Sequence, residues 1–123
     1  MSKKILGNHY LIDYYNCDKQ ILSIVSKIEK IMIDAGKIGN LHIVGQCFHQ
    51  FKPFGVSGVL ILKESHFTVH TWPEYNYASV DLYLCDTKLN VLNIVEYLDK
   101  MFVSENYEIK KIERGIENEK EMV

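Results

Sequence analysis

Residues Glu64 to Tyr75 read ESHFTVHTWPEY. Most of this segment has the chemistry of a strand, because Phe67, Thr68, Val69, Thr71 and Trp72 are β-branched or aromatic. It opens, however, on Glu64-Ser65-His66 and carries a second histidine, His70, and a buried strand does not hold such groups without partners. With the free thiol of Cys85 further on, the stretch brings together a hydroxyl, two imidazoles and a thiol, more reactive polar chemistry than a plain strand carries. Each residue also has a plainer reading. A serine at a strand start is usually a turn residue, a lone strand histidine a hydrogen-bonded structural group, and a free cysteine a small buried hydrophobe. Cys17 and Cys47 stay in that plainer class. Phe51 and Trp72 read equally as core aromatics, and Glu74 as a solvated loop residue. The constellation carries more weight than any member.

Whether these groups can meet depends on the elements that hold them. Tyr10 to Tyr15 reads as a strand and Asp18 as a helix N-cap. Ile21, Ile24, Val25, Ile28, Ile31, Met32 and Ala35 then follow helical spacing, which predicts a helix over 19–35 ending at Gly36. Strands are expected over 41–51, 56–62, 66–72 and 78–85, a second helix over 90–103, and a last strand over 107–114. The polar tail, residues 115–123, is expected to be loose. The order is βαβ, two further strands, then βαβ again. That predicts an α+β fold, a two-layer α/β sandwich with one antiparallel sheet and both helices on one of its faces, leaving the other face to be covered or active.

A tight turn at Lys63-Glu64 would put Ser57 opposite His70, with Cβ atoms roughly 5 Å apart. A following hairpin centred on Tyr75 would put Trp72 opposite Ala78, and Ser65 opposite Cys85. Ser65 and His70 themselves lie five residues apart, roughly 16 Å along a strand, and point to opposite faces. If both pairs serve one site, a second copy of the chain must bring the other pair, and a two-fold dimer would do so twice. A slip of one residue would undo this arrangement.

Composition bounds the alternatives. The 123 residues suit one domain, 47% of them are hydrophobic, and the net charge of −2 provides no basic field for nucleic acid. No apolar run is long enough for a bilayer, and no sustained apolar segment follows the N-terminal lysines, so neither a membrane nor a secretory signal is expected. Three widely spaced cysteines argue against a disulfide framework and for the cytoplasm. His42, His49, His66 and His70 fall on different strands without a ligand cluster, so no metal is expected.

Gly55-Val56-Ser57-Gly58, then ESHFTVHTWPEY, then Val80 to Cys85 (VDLYLC) closely resemble the short prokaryotic S-adenosylmethionine decarboxylase proenzymes. The resemblance extends from Tyr15-Asn16-Cys17-Asp18 through FHQFKPFG to the ERG near the end, most of the chain. It implies a single domain over 1–123 that cuts itself between Glu64 and Ser65 into a β chain, 1–64, and an α chain, 65–123. On this resemblance the Ser65 hydroxyl would attack the Glu64 carbonyl, elimination would leave dehydroalanine, and hydrolysis would yield a covalent pyruvoyl group that forms a Schiff base with substrate without pyridoxal phosphate. The resemblance further implies that His70 is the proton acceptor in processing, that Ser57 assists the acyl shift and that Cys85 is the catalytic proton donor. Phe51 and Phe67 would hold the adenine and sulfonium of S-adenosylmethionine, with Trp72 nearby, and Glu74 would accept the ribose hydroxyls. Homodimers of processed protomers with shared active sites are expected. Two departures stand out: Gly7-Asn8-His9, where GRH or GKH is common, and Ala78-Ser79-Val80-Asp81, where AAVD is common. A substrate switch to ornithine or arginine and a non-catalytic regulatory paralogue are the alternatives. The retained Ser65, His70 and Cys85 argue against the latter.

Overall fold

A computed structural model describes residues 3–85, 89–115 and 117–118. In chain order the elements are β1 (Lys3–Lys4), β2 (Gly7–Tyr15), α1 (Lys19–Ser23), α2 (Val25–Ile38), β3 (Ile43–Gln50), β4 (Val56–Leu62), β5 (Ser65–Trp72), a 3₁₀ turn (Pro73–Tyr75), β6 (Tyr77–Leu84), α3 (Val91–Phe102), β7 (Asn106–Arg114) and β8 (Glu117–Asn118). Six of the strands form one antiparallel sheet in the order β3-β4-β5-β6-β2-β7, while β1 pairs with β8. Of the tail expected to be loose, residues 117–118 are therefore paired, and most of the rest lies outside the described residues.

Strict alternation builds the sheet. On β5 the residues Phe67, Val69 and Thr71 are buried, while His66, Thr68, His70 and Trp72 are only partly covered. The buried set joins Ile12 and Tyr14 of β2, Leu60 and Leu62 of β4 and Val80, Leu82 and Leu84 of β6. Ile28, Ile31, Met32 and Ala35 of α2 and Ile94, Val95, Leu98 and Phe102 of α3 close over that face. Each fully buried Leu, Ile or Phe contributes roughly 1.5–3 kcal/mol, and this single core orders both layers. Tyr14 shows how a polar group enters it: its hydroxyl donates to the Val95 carbonyl at 2.9 Å, and its ring meets Phe102 edge-on at 5.3 Å. Among the described residues no helix covers the opposite sheet face, where Val59 and Ile61 are exposed.

Asp18 caps α1 as expected, its carboxylate accepting from the backbone N–H groups of Gln20 and Ile21 at 2.9 and 3.1 Å. The single helix expected over 19–35 is instead two. Ile24 is extended (φ −115°, ψ 117°) and separates α1 from α2. The apolar spacing runs through the break, so periodicity could not reveal it. The break is held by a side chain from β3: Gln50 Nε2 donates to the Ser23 carbonyl at 2.8 Å, and Gln50 Oε1 accepts from Val25 N–H at 2.9 Å. The helix also passes its predicted stop. Gly36 is buried within α2, close to Ile43, and Gly39 caps the end.

Candidate active site

The hairpin of β4 and β5 turns at Lys63-Glu64 and places Ser57 opposite His70, the register expected. Ser57 Oγ lies 3.3 Å from His70 Nδ1, so the hydroxyl and the imidazole share a proton-transfer contact. Gly55, at φ +112°, turns the chain into β4, and its carbonyl accepts from Phe51 N–H at 2.8 Å. Around His70 the aromatic rings form a continuous row. Phe51 stacks on His70 at 5.9 Å, His70 on Trp72 at 4.0 Å, Trp72 on Tyr77 at 5.2 Å and Tyr77 on Tyr15 at 5.6 Å. The far end of this row is fixed by the Tyr77 hydroxyl, which donates to Asp13 Oδ1 at 2.5 Å. Burial, and then this bond to a carboxylate, push the Tyr77 hydroxyl far above its ordinary pKa, so it stays protonated. Phe51, Phe54, Gly55, His70, Thr71, Trp72 and Glu74 line a cavity of about 190 Å³ beside the row.

The second hairpin departs from expectation by one residue. Trp72 faces Tyr77 rather than Ala78, and Ser65 faces Leu84 rather than Cys85. The reason lies in the link: Pro73–Tyr75 winds into a 3₁₀ turn and Asn76 takes a left-handed conformation (φ 52°), so four residues close the hairpin instead of five. Asn76 is locked there by Cys17, whose N–H donates to the Asn76 carbonyl at 2.8 Å while Asn76 Nδ2 donates to the Cys17 carbonyl at 3.0 Å. The slip moves Cys85 from Ser65 to the residue before it. The Cys85 N–H donates to the Glu64 carbonyl at 3.1 Å. That carbonyl belongs to the Glu64–Ser65 peptide, so its oxygen already has a donor aimed at it.

Glu64 is held at its side chain as well. His42 N–H donates to Glu64 Oε1 at 3.0 Å and His42 Nδ1 to Oε2 at 2.5 Å, while Lys63 N–H donates to the His42 carbonyl at 2.8 Å. Burial raises the Glu64 pKa, but the two bonds from His42 outweigh it and hold the carboxyl below its usual range. His42, Lys63, Glu64 and Cys85 line a second cavity of about 400 Å³. Ser65, next in the chain to Glu64, is half-buried, with its Oγ 3.5 Å from His66 Nδ1.

The expected residues thus divide into two clusters. Glu64, Ser65 and Cys85 lie at one end of β5, and Ser57, His70, Phe51, Trp72 and Glu74 at the other. Phe67 joins neither. It is completely buried on the helix-covered face, because its position on β5 alternates with those of His66 and Thr68. Cys47, expected to be buried, is exposed, while Cys17 is buried in the core and its thiol is pushed up to about 12 by burial. No group of three or more histidine, cysteine or acidic side chains suited to a metal occurs among the described residues. His42 is the neighbour of Glu64 that the pattern alone did not reveal. A bulge between Ile43 and Gly45 sets its position against the Lys63-Glu64 turn, and no residue type announces it.

Residues 8–115 match the family described as S-adenosylmethionine decarboxylase. The chain belongs to the S-adenosylmethionine decarboxylase family. It is 40% identical over 116 residues to the S-adenosylmethionine decarboxylase proenzyme of Thermococcus kodakarensis, covering 94% of this chain and 81% of that one. It is 42% identical over 112 residues to the proenzyme of Thermosipho africanus, covering 91% of this chain and 86% of that one. Its fold is similar to the crystal structure of the adenosylmethionine decarboxylase from Aquifex aeolicus, with a TM-score of 0.86 and 34% identity over 94% of this chain and 96% of that one. The six-stranded antiparallel sheet with its helices on one face is thus the decarboxylase fold.

Proposed function

We propose that this chain decarboxylates S-adenosylmethionine after cutting its own Glu64–Ser65 bond and converting Ser65 into a pyruvoyl group. The observation that carries this reading is the state of that one peptide. Its carbonyl accepts the Cys85 N–H, its side chain is fixed at two points by His42, and a hydroxyl follows it immediately. A donor aimed at the carbonyl oxygen favours the charge that develops there when Ser65 Oγ attacks. The attack exchanges the amide for an ester. Removal of the Ser65 Cα proton, by His70, then expels the Glu64 carboxylate and separates the chains 1–64 and 65–123. Ser57, hydrogen-bonded to His70, orients that imidazole.

Ser65 suits the group that would form from it, since it stands at a strand end beside an open cavity lined by Cys85. A pyruvoyl group at this position would supply an electron sink for the pair freed on loss of carbon dioxide, chemistry that amino-acid side chains lack. Cys85 then supplies a proton from the cavity wall. The other cavity fits the nucleoside end of the substrate. Phe51 and Trp72 offer stacking faces for adenine and for the sulfonium, and Glu74 is an exposed acceptor for the ribose hydroxyls. This lining also favours S-adenosylmethionine over ornithine or arginine, which need no aromatic clamp.

The two cavities stand at opposite ends of β5, so a complete site takes one from each of two copies. A two-fold dimer supplies both pairs twice. Intact mass of the purified protein under denaturing conditions tests the reading. Two chains split at Glu64/Ser65, the second lighter by one ammonia than its serine form, are expected, and carbon dioxide release should follow S-adenosylmethionine and not ornithine or arginine. A single uncut chain, or release from ornithine alone, overturns it.

A further inference from the structure

Maturation begins with a proton leaving Ser65 Oγ. His70 of the same chain is five residues away, roughly 16 Å along the strand, and already engaged with Ser57. The group beside Ser65 Oγ is a different imidazole, His66, whose Nδ1 lies 3.5 Å from it. His66 is half-buried and its ring is packed from two sides, 5.6 Å from Tyr83 and edge-on at 6.1 Å from His9. Those neighbours are themselves fixed. The Arg114 guanidinium lies over Tyr83 at 5.4 Å, and His9 Nε2, buried with no hydrogen-bond partner among the described residues, is 3.8 Å from an Asp81 carboxylate oxygen. The His66 ring thus has an aromatic neighbour on two sides while its Nδ1 faces Ser65.

We infer that His66 is the catalytic proton carrier of the first maturation step, the N-to-O acyl shift, and that it acts within its own chain. The inference rests on the reading of Glu64–Ser65 as the maturation site. With its ring proton on Nε2, His66 accepts the Ser65 hydroxyl proton at Nδ1 as Oγ bonds to the Glu64 carbonyl carbon. When the tetrahedral species collapses, the bond from that carbon to the Ser65 nitrogen breaks. The leaving nitrogen takes the electron pair and receives the proton back from His66 Nδ1. An amide becomes an ester and an amine, with no proton gained or lost overall. Oγ and the nitrogen belong to one residue, so one imidazole beside it serves both transfers. The 3.5 Å contact must shorten for transfer, as catalytic hydrogen bonds do on approach to the transition state. The division of labour is then by step: His66 of the same chain for the shift, His70 of the second copy for the elimination.

The test uses the full-length chain and hydroxylamine, which cleaves an ester at Glu64 but not the amide. His66→Phe keeps a ring against Tyr83 and His9, and His66→Gln keeps a polar partner for Ser65; far-ultraviolet circular dichroism establishes that each is folded. Both are expected to mature about 10²-fold more slowly than the natural chain or worse, and to remain resistant to hydroxylamine while they wait. Maturation of either folded variant at the natural rate overturns the inference, as does accumulation of a hydroxylamine-sensitive chain, since the shift would then have run without His66. Failure of the underlying reading looks different: the natural chain itself would stay uncut.

Discussion

The two ends of β5 solve different problems with different materials. At the Ser65 end the Glu64–Ser65 peptide is held by backbone and hydrogen bonds. The Glu64 carbonyl is tied to Cys85, the Glu64 carboxylate to His42, and the Lys63 N–H to the His42 carbonyl. At the His70 end the parts are rings, stacked from Phe51 through Trp72 and Tyr77 to Tyr15. A bond that must break at one defined atom needs fixed geometry at that atom, which hydrogen bonds supply because they are directional. A flat, cationic nucleoside needs area and polarisable faces, which aromatic rings supply at little entropic cost. On the proposed function neither end would suffice alone: one would hold the reacting centre without a place for the nucleoside, the other the place without the reacting centre.

The largest expected effect breaks the first end and spares the second. Ser65→Ala removes the attacking hydroxyl and should leave one uncut chain with no carbonyl group, read by intact mass. Cleavage in that variant would refute the mechanism. Glu74→Gln sharpens the comparison from the other side. It removes a charged acceptor from an exposed position of the ring-lined cavity, so self-cleavage should proceed at its natural rate while KM for S-adenosylmethionine rises about tenfold, the worth of a charge-assisted hydrogen bond of ~1.5 kcal/mol.

Part of this was legible in the sequence, for physical reasons. The β4–β5 hairpin was readable because its turn is short and alternation on both strands fixes the register, so Ser57 and His70 could be paired in advance. The next hairpin was not, because the 3₁₀ turn and the left-handed Asn76 shorten the link by one residue, and that depends on Cys17 from a distant part of the chain. The same slip moved Cys85 onto Glu64. The resemblance implies a substrate contact for Phe67, but its parity with Val69 places it in the core. The break at Ile24 was hidden because Gln50, 25 positions away from Val25, satisfies the backbone there.

That last contact yields a smaller effect that also separates the two ends. Gln50→Ala strips the side-chain partners from Ser23 and Val25 and should destabilise the fold by ~1–2 kcal/mol in denaturant unfolding. It should leave the Glu64–Ser65 geometry, and hence cleavage, unchanged. A loss of cleavage without loss of stability would show that the helix break communicates with the Ser65 end.

The smallest effect concerns pH. The Glu64 carboxyl is held below its usual range in the folded chain, so the bonds from His42 stabilise the fold above the unfolded-state pKa, about 4.3, and lose that contribution as pH falls through the lower folded value. Measured in the uncut Ser65→Ala chain, adding Glu64→Gln should lower stability at neutral pH, and the difference should shrink below about pH 4. A difference that stays constant with pH would mean that the Glu64 charge contributes nothing.

The central claim is that one site takes its two ends from two chains, and a mixed dimer tests it most directly. Ser65→Ala chains keep His70, and His70→Ala chains keep Ser65; neither homodimer should produce a pyruvoyl chain. Co-expressed in equal amounts and combined at random, about half of the His70→Ala chains sit beside a Ser65→Ala partner. The account predicts that those chains, and no Ser65→Ala chains, are cut at Glu64/Ser65 and lose ammonia, as read by intact mass. A mixture in which mixed dimers are present and every chain stays uncut would contradict it.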